Sequence, residues 1–307
     1  MSADLQNPIF NDETAAREAL EAVRWPNGPF CPHCGSAEGQ AKVEGKKQTH
    51  RPGLYYCNEC KGTYTVTVGT VFERSKVPLS KWWLATHLLS SSKKGMSAHQ
   101  LHRLLGITSK TAWFMAHRIR EGMVEENAGP LGSSGKPVEV DETYFGTDPA
   151  AEKPKAGPGA KLKIVALVER GGKARSLHVG RLDGETVRSI LLSQVSPNAA
   201  LMSDGSMLYH GMNQWFSSHD TVNHTAKEYV RGDAHTNAIE GYFSIFKRGM
   251  VGVYQHCSDK HLKRYLTEFE FRYNQRTALG VSNTERTVAA LRGIEGKRLT
   301  CRRTAQG

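Results

Sequence analysis

The sequence lacks any apolar run of the ~18 residues that a bilayer-spanning helix requires. No leader is expected either, since Met1 to Thr14 carries Asp and Glu where a secretory signal would carry positive charge and then an apolar stretch. Neither a membrane protein nor a secreted precursor is predicted, and the expected location is the cytoplasm. Cysteine is scarce, six in 307 residues, and without an export signal a disulfide framework is improbable. Apolar residues are not scarce: at 38% hydrophobic and 23% charged, the chain can build a packed core, and wholesale disorder is excluded. At roughly 150 residues per domain, the length allows about two domains, or a small module beside a larger one.

The 41 Lys and Arg exceed the 30 Asp and Glu, a net charge of +11, and they are unevenly spread. Residues 1–30 are net −3, residues 31–130 net +7, residues 131–240 net −1 and residues 241–307 net +8. Two basic segments flank a near-neutral middle. That distribution suits flanks that grip phosphates around a carboxylate site for cations, although a solvated basic surface would look the same.

Four of the cysteines form two C-x2-C pairs, Cys31-Pro-His-Cys34 and Cys57-Asn-Glu-Cys60, with 22 residues between them. Each pair can set two thiolates on one tight knuckle, and two knuckles complete a tetrahedron around Zn²⁺. Gly35 and Gly62 supply permissive backbone beside the knuckles. Leu54–Tyr56 and Tyr64–Val68 read as short strands, so the segment predicts a zinc ribbon over residues 31–75, after an N-terminal helical segment over 1–30. His33 and His50 could substitute as ligands, but four thiolates already fill the shell, leaving no open position for chemistry. Cys257 and Cys301 have no partner pattern and read as plain thiols.

Residues 76–126 predict a helix-rich region. Lys81 to Leu89 has an aromatic-aliphatic core face, and Ser97 to Trp113 has a helix-turn-helix rhythm. Ser97 caps the first helix, Leu105-Gly106-Ile107 makes the turn, and Thr108 or Ser109 caps a second helix running to about Gly122. Lys110, Thr111, His117, Arg118 and Arg120 are then the residues expected to meet DNA. Two packed helices that touch nothing are the plain alternative. Residues 127–137, rich in Gly, Pro and Ser, read as a linker to a larger domain over 138–280.

Within that domain, Val138 to Phe145 alternates apolar and polar as a strand does. Lys163–Val168 and Ala174–Val179 follow as strands joined at Gly171-Gly172. A helix over 184–195, a strand over Ala200–Ser203 and a helix over 235–248 complete an α/β plan with carboxylates at strand ends. Three acids stand out: Asp141 in the first strand, Asp204 just past the fourth, and Glu240 on the late helix, with 35 residues between the last two. Lys247 lies two helical turns after Glu240 and leaves the same face. The set suits phosphodiester chemistry with two Mg²⁺ or Mn²⁺ ions, for which carboxylate oxygens are the hard ligands, with Lys247 and Arg248 on the DNA backbone. Taken singly, Asp204-Gly205 could be a turn and Glu240 with Lys247 a solvated helix face. Asp141 and Glu142 are adjacent, and the strand pattern does not say which of them faces the site.

Val140-Asp141-Glu142-Thr143-Tyr144, Ser203-Asp204-Gly205 and the run from His235 to Gly249 together resemble bacterial insertion-sequence transposases. The group is the one that joins an N-terminal zinc ribbon to a DDE domain of RNase H-like fold. Tyr273-Asn274-Gln275-Arg276 also looks like that group. The resemblance spans roughly residues 20–280 and implies binding of terminal inverted repeats, metal-dependent strand cleavage, and attack of the freed 3′-OH on target DNA. It further implies double-stranded DNA as partner, a homodimer or higher assembly on DNA, association with the nucleoid, and no covalent protein intermediate. In this group the third acidic position can be Asn, and both Asn237 and Glu240 are present; the spacing to Lys247 favours Glu240. A binding regulator without chemistry, or an RNase H-like nuclease without strand transfer, are the other readings. Asp259–Tyr273 reads as a core helix with Lys260, Lys263, Arg264 and Arg272 toward DNA, and residues 281–307 as a basic C-terminal tail whose end, Lys297 to Arg303, is expected to be mobile.

Overall fold

The computed structural model describes residues 5–44, 50–126, 128–148, 161–222, 226 and 228–300. Cys301, Arg302 and Arg303 of the expected tail lie outside them, as does Asn127 of the expected linker. The chain forms two compact units, one of Met1–Ser92, Met96–Val124 and Ser282–Gly307, the other of Lys93–Gly95 and Glu125–Val281.

In the first unit, α1 (Glu13–Arg24) starts where Asp12 accepts a bond from the Ala15 N–H. A small antiparallel sheet follows, β1 (Gln40–Lys42), β2 (Tyr55–Cys57) and β3 (Thr63–Tyr64), in the order β1-β2-β3. The expected strand over Tyr64–Val68 ends at Tyr64. Beyond it the backbone turns, and the buried Arg24 guanidinium takes up the Val66 carbonyl that a ladder would have paired. Next come α2 (Leu79–Ser91), α3 (Ala98–Leu105) and α4 (Ser109–Gly122). Pro78 at the start of α2 has no side-chain acceptor, so Glu13 reaches over to accept from the N–H groups of Leu79 and Ser80 at 2.9 and 3.2 Å. Ser97 caps α3, Gly106 ends it with φ +59°, and Thr108 caps α4, which is helix-turn-helix geometry.

The segment expected as a basic C-terminal tail begins with a helix. Ser282 and Glu285 form a capping box that starts α8 (Asn283–Arg292), and Ala290, Leu291 and Ile294 are buried. The helix is tied to α2 by His87 Nδ1 to Thr287 Oγ1 at 3.0 Å and by Arg286 donating to the Ser90 carbonyl at 2.9 Å. A short helix whose apolar residues are masked by Arg and Glu gives a weak sequence signal, and burial against another element decides it.

The second unit is built on β4 (Val138–Phe145), β5 (Leu162–Glu169), β6 (Ala174–Val179), β7 (Ala200–Asp204) and β8 (Ser218–Val222), in the order β6-β5-β4-β7-β8. β5 is antiparallel to β4 and to β6, whereas β7 runs parallel to β4 and to β8. This mixed order, 3-2-1-4-5 with the second strand reversed, is the RNase H-like sheet. β5 is apolar on both faces because both are covered. Ile164, Ala166 and Val168 pack with α6 (Asn237–Gly249) and α7 (Asp259–Asn274), while Val165 and Leu167 pack with α5 (Gly184–Gln194). β8 went unseen in the sequence because Ser-His-Asp-Thr-Val carries one apolar residue and no alternation to read. A short hairpin, β9 (Val230–Arg231) and β10 (Ala234–His235), leads into α6. Among the described residues, no helix is long and apolar enough to cross a membrane.

Candidate active site and metal centre

The two cysteine knuckles converge. Cys31 Sγ lies 3.6 Å from Cys60 Sγ and Cys34 Sγ lies 3.7 Å from Cys57 Sγ, with all four sulfurs within 4.8 Å of one another. A tetrahedron with Zn–S near 2.3 Å has edges of about 3.8 Å, so the cage already has the size of a four-thiolate zinc site. The thiols are free, which removes the disulfide alternative. The Cys60 N–H, above all, holds the Cys57 thiol down to about 6, whereas Cys34 and Cys60 are raised despite the N–H groups of Ser36 and Gly62, by burial and by the neighbouring thiols. His33 Nε2 faces the Thr63 carbonyl at 3.4 Å. Trp25, Tyr55 and Tyr64 pack edge-on and stacked at ring separations of 5.2 to 5.9 Å, giving the ribbon the core its short strands cannot supply. With protein in all four positions, the zinc is structural.

The helix-turn-helix face differs from expectation. Lys110 is exposed and Thr111 half-buried, but His117 and Arg120 are buried, 0% and 2% exposed, and cannot reach a nucleic acid. Arg118 is half-buried and donates to the carbonyls of Leu299 and Glu73. Three basic residues in four suggested a DNA-facing run, but the helix turns His117 and Arg120 toward the core, and His117 meets the Trp113 ring edge-on at 4.2 Å. The exposed residues of α3 and α4 include His99, Gln100, Arg103, Leu104, Lys110 and Trp113, and no acid lies between Ala98 and Arg120.

In the second unit the pleat of β4 settles which of two adjacent acids faces α6. Phe145 belongs to the core shared with α6 and α7, and Val138 and Val140 to the core shared with α5. Asp141, of odd parity, therefore faces α6, and Glu142 faces the other way, where the Tyr209 hydroxyl donates to Glu142 Oε2 at 2.5 Å. On β7, Leu201 belongs to the α5 side and Met202 to the opposite side, so Asp204 shares the face of Asp141. The parallel pairing of β4 with β7 covers Val138 with Leu201 and Glu139 with Met202; Asp141 and Asp204 each lie two residues beyond its last pair, on the same face of the two strands.

Glu240 sits in the first turn of α6, where the Thr236 hydroxyl donates to its Oε1 at 2.9 Å. The Asp141 carboxyl is pushed up to about 7, first by burial, against the bond from the Glu142 N–H and with the negative charges of Glu142, Asp204 and Glu240 adding to the rise. Those acids are thus near enough to act on one another's charge. Among the described residues, however, only the four cysteines gather ligand atoms within 4.8 Å, so the carboxylates face one another across a wider gap. The donor set is hard oxygen carrying mutually repelling charge, and a divalent Mg²⁺ or Mn²⁺ would relieve that crowding. Asn237 is exposed one turn before Glu240, and Lys247 and Arg248 are exposed in the last turn. Lys247 Nζ stands 5.9 Å from the Phe243 ring, and Arg248 donates to Ser244 Oγ.

Sequence reasoning missed Glu139, which is wholly buried in β4 and accepts from the N–H groups of Ala238 and Ile239 at 2.8 and 3.0 Å. The available signal was a Glu at an inward position two residues from Asp141. The Tyr273–Arg276 motif has a structural task. Asn274 exchanges bonds with the N–H and carbonyl of Ala174, at 2.6 and 3.0 Å, and Arg276 donates to the Gly172 carbonyl at 2.8 Å, so the motif clamps the β5–β6 hairpin and the β6 edge. Arg272, expected toward DNA, is buried against Glu268.

The transposase zinc-ribbon domain family matches residues 11–63, and the ISXO2-like transposase domain family matches residues 133–274. A protein of the transposable element ISH50 in Halobacterium salinarum is 27% identical over 279 residues, covering 86% of this chain and 91% of the relative. The Mos1 transposase, solved as a paired-end complex with the left transposon end, overlaps 69% of this chain and 74% of its own at 12% identity, with a TM-score of 0.26.

Proposed function

We propose that the chain acts as an insertion-sequence transposase, cleaving DNA at the ends of a mobile element and joining the freed ends to target DNA; its matches to the transposase zinc-ribbon and ISXO2-like transposase domain families support that reading. The observation that supports the chemistry is that Asp141 and Asp204 lie on one face of the adjacent strands β4 and β7, each two residues past their last paired residues, with Glu240 in the first turn of α6, whose core residues pack on that face of the sheet. These three carboxylates would hold two Mg²⁺ or Mn²⁺ ions, which supply activation of the attacking oxygen and stabilisation of the leaving one. Glu240 is preferred over Asn237 because its charge acts on Asp141 and because a carboxylate neutralises a divalent cation better than an amide does. Lys247 and Arg248 stand on the exposed side of the same helix and would hold the backbone beside the reacting phosphate.

The first unit would recognise the terminal inverted repeats, with the zinc ribbon and the exposed face of α3 and α4 as the contact surface. Two ends must be joined in one event, so the working form on DNA is at least a dimer. The test is cleavage and joining of labelled DNA from the gene's own flanks in Mg²⁺ or Mn²⁺, wild type against Asp204→Asn. Nicks at a fixed position together with joined products, both lost in the variant, are expected. Tight binding without metal-dependent cleavage would leave a regulator, and nicking without joining would leave a nuclease.

A further inference from the structure

Helix α6 begins without a cap of its own. Thr236 occupies the N-cap position, yet its side chain makes no bond to the helix backbone, and its hydroxyl is given to the Glu240 carboxylate instead. The orphan N–H groups of Ala238 and Ile239 are taken by Glu139 Oε2, from a strand 99 residues earlier in the chain. The other oxygen, Oε1, accepts from Arg170 Nε at 2.7 Å and lies 3.2 Å from His235 Nδ1. Arg170 then turns its remaining nitrogens to the carbonyls of Asp233 and His235, at 2.7 and 2.8 Å. One buried carboxylate and one guanidinium thereby fasten three separate pieces of chain: the start of β4, the β5–β6 turn and the hairpin that feeds α6.

The position of this knot is informative. Glu139 and Asp141 lie two residues apart on one face of β4, about 7 Å along the strand. Glu240 follows Ile239 directly, in the same helical turn that Glu139 holds. A charge buried to 0% exposure is destabilising unless fully bonded, and an ordinary Ser or Thr cap would serve the helix alone without that burden. What a local cap cannot do is fix the helix against the strand that carries Asp141.

We infer that Glu139 is a positioning residue for the metal site, setting the spacing between Asp141 on β4 and Glu240 on α6, with Arg170 holding Glu139 in that pose. The inference rests on the carboxylate metal site proposed above. Freed from Glu139, the first turn of α6 would carry Glu240 away from its partners while Asp141, Asp204 and Glu240 all remain present.

Mn²⁺ binding by titration calorimetry, and cleavage of flank DNA against Mn²⁺ concentration, test it on the full chain at a temperature where circular dichroism shows every variant folded. Asn274→Ala, which loosens the same unit at the β6 edge, is the stability control. For Glu139→Ala we expect Mn²⁺ affinity or the saturated cleavage rate to fall about 10- to 100-fold, as when other groups that orient metal ligands are removed. Glu139→Gln, which keeps one acceptor oxygen, is expected to fall between, and Arg170→Ala to follow Glu139→Ala. Glu139→Ala with the metal affinity and rate of Asn274→Ala would overturn the inference and leave Glu139 a helix cap. Should Glu139→Ala not fold, Glu139→Gln decides: a raised Mn²⁺ requirement supports the inference, and a wild-type titration overturns it. A wild type that neither binds Mn²⁺ nor cleaves would bring down the metal site itself, and the inference with it.

Discussion

Tyr209 donates its hydroxyl to Glu142 on the side of β4 turned away from α6, while Asp141, one residue earlier, faces Glu240. Two adjacent carboxylates that the sequence alone leaves equivalent therefore face opposite sides of the sheet, and the proposed metal site uses only the first. Asp141→Asn is expected to lower the metal-dependent cleavage rate by about 10²- to 10³-fold, since it removes the charge of a proposed metal ligand. Glu142→Gln, which still accepts from Tyr209, is expected to stay within about tenfold of wild type. Single-turnover cleavage of flank DNA measures both. Equal losses in the two variants would mean that Glu142 also belongs to the metal site.

The zinc centre makes its prediction through stability. Cys31 and Cys57 are buried beside the aromatic layer, so an empty cage leaves the ribbon with three short strands and little else. Purified protein is expected to hold about one zinc per chain, as four thiolates close one tetrahedral shell. Cys57→Ser is expected to lose the metal and unfold the ribbon, read as zinc content by atomic absorption and as protease sensitivity within residues 25–75. Retention of zinc in that variant would contradict the four-cysteine site.

How much was legible in the sequence differs between the units. The thiolate pairs and the strands β4 to β7 were readable because spacing and alternation are local properties; Asp141, Asp204 and Glu240 stood out in the sequence as acids, and their joint role as a metal site is the proposal made above. The orientation of α4 was not, because helical periodicity gives a face without saying which neighbours cover it. His117 and Arg120 are buried on α4 although their residue types suggested DNA, whereas Arg103 and Lys110 are exposed. Lys110→Ala and Arg103→Ala are accordingly expected to weaken DNA binding and to lower the slope of log affinity against log salt by about one each. His117→Ala and Arg120→Ala are expected to lower the melting temperature and leave that slope unchanged. Fluorescence anisotropy across a salt series, with thermal unfolding beside it, separates the two pairs. Glu139 was equally illegible, since its partners lie 99 and 100 residues away.

Glu270 couples the protein's stability to pH. It stands one turn before Asn274 on α7 and accepts from the Ser176 N–H at 2.6 Å, so the two side chains together occupy alternate residues of the β6 edge. Burial pushes the Glu270 carboxyl up to about 7, more than the Ser176 N–H and the Arg175 charge lower it. A carboxyl whose value is higher folded than unfolded binds its proton more tightly in the native state. Its contribution is therefore complete below about 4.5, the unfolded value, and is lost as pH rises through about 7. From pH 5 to pH 8 this one group is expected to remove up to about 3 kcal/mol from the second unit. Glu270→Gln keeps an acceptor for Ser176 but does not titrate, so it is expected to be the more stable form at pH 8 and to lose that advantage by pH 5. Urea unfolding of both proteins at the two pH values decides it: parallel pH dependences would show that Glu270 titrates as an ordinary solvated carboxylate and that the β6 edge is held by Asn274 and Arg276 without a pH-dependent partner.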